Sequence, residues 1–154
     1  MVTGGIDQAN DRRPETRIFD LIKKEWSMGP SMQRPKYAHG CVRMILGGKQ
    51  IVWVTGGFDN SKRYSEYLEI DQLNQGWKSG PNLPYPLTNH RMVASEDLKN
   101  VYITSSDGNI LEIQCSGSTP DTCAFKPLAS SIRTKQGPHI AFTISDSLAD
   151  SLCE

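Results

Sequence analysis

The sequence predicts an all-β chain built from repeated four-stranded antiparallel units, and three observations point there. Gly (13) and Pro (9) are frequent among the 154 residues, so turns recur at short intervals and long helices are disfavoured. Between the turns stand short runs rich in β-branched and aromatic residues, such as 51–55 and 101–104. The chain also repeats itself. Val2-Thr3-Gly4-Gly5-x-Asp7 returns as Val54-Thr55-Gly56-Gly57-x-Asp59. Asp20, Trp26, Gly29, Pro30, Pro35, His39 and Val42 return as Asp71, Trp77, Gly80, Pro81, Pro86, His90 and Val93. Average residue usage gives roughly two or three such coincidences, against twelve here.

Bulk composition narrows the function classes. Seventeen Lys+Arg balance seventeen Asp+Glu, which excludes the strongly basic footprint of a nucleic-acid binder. At 37% hydrophobic residues and a mean hydropathy of −0.47, no apolar run approaches the roughly 18–20 residues of a membrane span. The β-branched and aromatic content is too high for a disordered tail.

The second unit shows the element order most clearly. Residues 41–46 form a first strand, followed by a Gly-Gly-Lys-Gln turn, and 51–55 form a second that ends in Gly56-Gly57. Residues 66–70 alternate as a third, and the fourth carries Trp77 before Gly80-Pro81. A glycine doublet closing a strand permits positive φ and a close approach by neighbouring backbone. One Trp per unit is an apolar plate too large for a single small sheet to bury, so it is expected to pack on the adjacent unit. A third unit is degraded: Val101-Tyr102-Ile103-Thr104 matches 52–55, but Ser105-Ser106 replaces the doublet and Phe125 replaces the Trp. Pro138-His139 opens a further copy that stops after one strand, 140–144.

At these residues the chain resembles the kelch repeat: an apolar strand ending in Gly-Gly, a spacer with an Asp, a strand ending in Asp, a Trp, and a Pro-rich turn into the next unit. The resemblance implies a single kelch-repeat region over 1–154, with units 1–38, 39–89 and 90–138, the strand 139–144 and a tail 145–154. It implies a β-propeller, whose radially packed four-stranded sheets protect most strand edges. Unit one lacks its first strand, so the expected object is an arc of about three blades, incomplete as a ring, with apolar faces at both ends. Further blades are expected upstream or from another chain. Residues 1–3 read as the middle of a strand, which suggests a fragment. In closed kelch propellers the termini commonly share a blade, and the strand within 140–144 fits that role.

Catalytic motifs are missing from the sequence: it holds no GxSxG elbow, HExxH, P-loop or paired-carboxylate helix. His39, His90 and His139 occupy one repeat position, which spreads them over successive blades, so no metal or other cofactor is expected. Ser106-Asp107-Gly108-Asn109 reads as a tight hairpin turn. Cys41, Cys115, Cys123 and Cys153 form no CxxC pair. Cys115 and Cys123 flank a polar Gly/Pro loop where a disulfide is sterically easy; two unpaired thiols in a reducing compartment are the alternative.

Strand alternation places the loops after the second and fourth strands on one face, and those are the long ones. That face carries Arg12, Arg13, Arg34, Lys36, Tyr37, Lys62, Arg63, Tyr64, Tyr85 and Arg133. Arg and Tyr dominate protein-binding hot spots, and as a group these residues suggest an acidic protein partner. The function expected from resemblance and loop placement is a non-catalytic protein-interaction scaffold. Two alternatives stand beside it. One is a secreted kelch-like propeller of carbohydrate-related or copper-oxidase activity whose catalytic blades lie outside this chain; the other is the substrate-recognition part of a ubiquitin-ligase adaptor. The cysteines tilt the compartment toward the extracellular.

Overall fold

Three antiparallel sheets follow one another along residues 1–105 and 108–128, the part of the chain that the structure, a computed structural model, describes. The first holds β1 (Val2–Thr3), β2 (Thr16–Asp20) and β3 (Glu25–Gly29). The second holds β4 (Gly40–Leu46), β5 (Lys49–Thr55), β6 (Ser65–Glu69) and β7 (Lys78–Ser79). The third holds β8 (Arg91–Ala94), β9 (Val101–Thr104), β10 (Ile110–Cys115) and β11 (Cys123–Pro127). Strands pair in chain order within every sheet, and each sheet is open. The described residues are therefore mostly β, with strands in the order that the repeat predicted. Residues 106–107 and 129–154, with the expected strand 140–144 and His139, lie outside the described residues.

Strand register shows which parts of the repeat are equivalent in space. Thr3 pairs with Thr16 as Thr55 pairs with Ser65 and Thr104 with Ile110. Phe19 faces Trp26, and Trp77 follows in the same place, next to the Tyr67–Lys78 pair, as does Phe125 opposite Ile113. The apolar plates thus occupy one column, and Phe125 stands for a Trp. One sequence identity does not survive. Asp20 ends β2 and accepts the Ile22 and Lys23 amides in a tight turn, whereas Asp71 lies in a 3-10 turn, Ile70–Gln75, inserted before Trp77. Glu69 is the residue in the Asp20 position.

The core forms between sheets. Along β5 the side chains alternate: Val52 and Val54 join Met32, Leu68 and Trp77 on the side of the first sheet. Ile51 and Trp53 join Val101, Ile103, Leu111, Ile113 and Phe125 on the side of the third. The second sheet is thereby buried on both faces, which explains why 51–55 read as a continuous apolar run.

The glycine doublets have a specific task. The amide of Gly5 donates to the Lys36 carbonyl at 2.9 Å and that of Gly57 to the Leu87 carbonyl at 2.9 Å. The first glycine of each pair, at φ 66° and 57°, has that same carbonyl pressed against the place of a Cβ, at 2.6 Å and 2.4 Å. A side chain there would push the crossing loop off. Among the described residues no helix is long and apolar enough to cross a membrane.

Candidate binding face

Backbone hydrogen bonds bring the long loops of the first two units together at one end of the molecule. Met32 donates to the Pro14 carbonyl, Leu83 to Arg63 and Leu87 to Lys62, so the loop after the second strand and the loop after the fourth run together in both of the first two units. Phe58 donates to Tyr37 at 2.8 Å, joining the first unit to the second. At the opposite end the Gly47 turn packs against Ser118. The aspartates of the repeat hold these loops shut. Asp7 accepts the amides of Ala9 and Asp11, and Asp59 accepts those of Ser61 and Lys62. The Asp11 amide first, and then the Arg13 guanidinium that bonds Asp7, hold its carboxyl below the usual range.

Most residues expected to bind are engaged within the chain. Arg13 pairs with Asp7. The Arg34 guanidinium lies over the Tyr64 ring at 3.9 Å, and the Tyr64 hydroxyl donates to Gln33. Tyr37 stacks on Phe58 with centroids 4.8 Å apart, and the Lys62 ammonium lies 5.0 Å above Phe58. Arg63 donates from Nε to the Leu83 carbonyl. Tyr85 is half-buried against the core, Arg12 is exposed, and Arg133 lies outside the described residues. The result is a pinned cationic surface: among the described residues Arg12, Arg34, Lys62 and Arg63 are exposed and none forms an ion pair.

Lys36 corrects the expectation that it faces a partner. Its side chain is fully buried, with Nζ 3.2 Å from Glu66 and 3.9 Å from Asp59. Burial pushes its pKa down, against the pull of Glu66 and Asp59. Glu66 also accepts the Gln33 amide at 2.6 Å, which ties the loop to β6. The loop sequence alone does not show this pair, although the repeat carries a signal for it. Lys36 occupies the column of Leu87 and Glu66 that of Leu111, so two charges stand where the next unit has two leucines.

His39 and His90 precede equivalent strands and are both held neutral, pushed down to about 4 chiefly by burial. His90 Nε2 shares a 2.7 Å hydrogen bond with the Thr55 hydroxyl. Among the described residues no group of three His, Cys, Asp or Glu side chains is placed to hold a metal. Cys115 and Cys123 form a disulfide across the β10–β11 hairpin. Closing so short a loop stabilises the hairpin by about 2–3 kcal/mol in the chain-entropy account. A search of protein-family models finds none that matches this chain.

Proposed function

We propose that this chain is a kelch-type β-propeller arc that works as a non-catalytic protein-interaction scaffold, holding an acidic partner on its long-loop face. One observation carries the reading: Arg12, Arg34, Lys62 and Arg63 stand exposed on that face without carboxylate partners, and three of them are pinned by a ring or a carbonyl. Pinned cations lose less side-chain entropy when a ligand arrives. The repeat columns and the plate-on-sheet packing of Trp77 and Phe125 support the propeller part of the reading. The test is binding of a poly-glutamate peptide, followed by titration calorimetry, to the chain and to the Arg12→Glu/Arg34→Glu/Arg63→Glu variant. Affinity should fall at least tenfold in the variant and weaken with salt in the parent. Equal affinity removes this face as the binding site.

The disulfide favours an oxidising compartment, and so an extracellular or secretory setting for the scaffold. A ubiquitin-ligase adaptor role in a reducing cytosol fits that bond less well.

A further inference from the structure

One tyrosine ring links the exposed loop face to the buried ion pair of the first joint. Arg34 stands in the loop between β3 and β4, and Tyr64 immediately precedes β6. The Arg34 Cζ lies 3.9 Å from the centre of the Tyr64 ring, and the Lys36 ammonium lies 4.9 Å from the same centre. Arg34 is exposed and Lys36 is fully buried, so the ring serves one cation on the face and one inside the joint.

The ring is itself fixed. Its hydroxyl donates to Gln33 Oε1 at 2.9 Å, and the Ser79 hydroxyl of β7 donates to the same oxygen at 3.0 Å. Gln33 Nε2 donates to the Trp77 carbonyl at 2.9 Å, and the Gln33 amide to Glu66 at 2.6 Å. Gln33 precedes Arg34 in the chain. These bonds therefore hold both the backbone from which Arg34 springs and the ring on which its guanidinium rests. Among the described residues that guanidinium pairs with no carboxylate, which leaves its N–H fork open to one.

The fold does not require this arrangement. Counted from the carbonyls that receive the Gly5 and Gly57 amides, Arg34 shares its repeat position with Tyr85. Counted from the Thr55–Ser65 and Thr104–Ile110 pairs, Tyr64 shares its position with Asn109. The second joint closes with a tyrosine and an asparagine in those places, and its doublet bond has the same 2.9 Å length. A cation held on a ring here answers to something other than sheet packing.

We infer that Tyr64 is a positioning residue of the loop face, holding the Arg34 guanidinium so that it meets a carboxylate of the acidic partner in two-pronged fashion without first having to be ordered. Tyr64 acts through Arg34, and its role rests on the acidic-partner reading above.

Titration calorimetry with the poly-glutamate peptide tests the pair. Arg34→Ala and Tyr64→Leu should each weaken binding, the second by about two- to tenfold, the range for fixing one long side chain. Tyr64→Leu made in the Arg34→Ala chain should cost nothing further, and Tyr64→Phe, which restores the ring, should recover most of the loss. In NMR spectra of the free chain, the Arg34 side-chain signals should lie upfield through the ring current of Tyr64. They should stay there in Tyr64→Phe and move to ordinary positions in Tyr64→Leu. Equal losses from Tyr64→Leu with and without the Arg34 guanidinium would show a merely structural role and overturn the inference. So would a Tyr64→Leu chain that binds like the parent, an Arg34→Ala chain that does so, or Arg34 signals unmoved by loss of the ring. Where Arg34→Ala weakens binding and Tyr64→Leu does not, the acidic-partner reading stands and the positioning role falls. A parent chain that ignores poly-glutamate removes that reading, and the positioning role with it.

Discussion

The chain builds the same inter-sheet joint twice, with different chemistry each time. Between the first and second sheets, Lys36 and Glu66 meet as a buried ion pair and Trp77 donates its indole N–H to Thr16 and Pro30. Between the second and third, Leu87 and Leu111 fill the corresponding positions, and Phe125 meets Trp53 edge-on with centroids 5.9 Å apart. The glycine doublet and the crossing loop appear at both joints, with hydrogen bonds of the same length. Backbone geometry is thus the constant of the repeat, and side-chain chemistry is free to vary around it. The polar joint carries a liability that the apolar one lacks, because each of its charges depends on the other.

Breaking that dependence should give the largest effect. Lys36→Met leaves Glu66 buried without its cation, and such losses typically cost about 3–5 kcal/mol. The double variant Lys36→Leu/Glu66→Leu copies the second joint into the first and should recover most of that loss. The Gln33 amide, which bonds Glu66, and the buried Asp59 carboxylate, which loses the Lys36 charge 3.9 Å away, set the limit on recovery. Urea unfolding of the single and double variants measures the cycle. Equal destabilisation of both would mean that the pair contributes through packing alone.

Acid tests the histidine that each joint contains. An imidazole that titrates near 4 when folded and near 6.5 when unfolded takes up its proton more readily in the unfolded chain. Stability from His90 is therefore complete above about pH 6.5 and is lost as pH falls toward 4, by about 3 kcal/mol for one such group. His39 follows the same course, but after burial its next cause is the Lys36 charge, which His90 does not face. Replacing Lys36 by Leu together with Glu66→Leu should raise the His39 pKa in an NMR titration, whereas His90, which Lys36 does not face, feels the change only through the His39 charge and should not rise.

Much of this was legible in the sequence because the repeat constrains backbone. Doublets, capping aspartates and plate positions need particular φ angles, amides or areas, and those needs restrict residue type. Side-chain partnership across the joint is not so restricted. Lys36 looked like any loop cation, and only its column-mate Leu87 betrayed a buried site. Asp20 and Asp71 misled for the opposite reason. The loop after Thr55 is shorter than that after Thr3, and the turn before Trp77 is longer, so two length changes nearly cancelled and aligned residues with different tasks.

The smallest expected effect tests how each joint satisfies one carbonyl. Trp77 Nε1 reaches the Pro30 carbonyl at 2.9 Å and the Thr16 hydroxyl at 3.1 Å. Phe125 has no such proton, and at its joint the Ser65 hydroxyl donates to the Pro81 carbonyl at 2.7 Å instead. Ser65 and Pro81 are the repeat counterparts of Thr16 and Pro30, so the plate and the hydroxyl exchange the same duty. Trp77→Phe should therefore cost about 1–2 kcal/mol, the order expected for an unpaired buried carbonyl plus a smaller plate. The converse, Phe125→Trp, meets an acceptor already occupied and should be tolerated better with Ser65→Ala than alone. A urea midpoint for Phe125→Trp that Ser65→Ala fails to raise would show that ring size, not the indole proton, decides which plate each joint accepts.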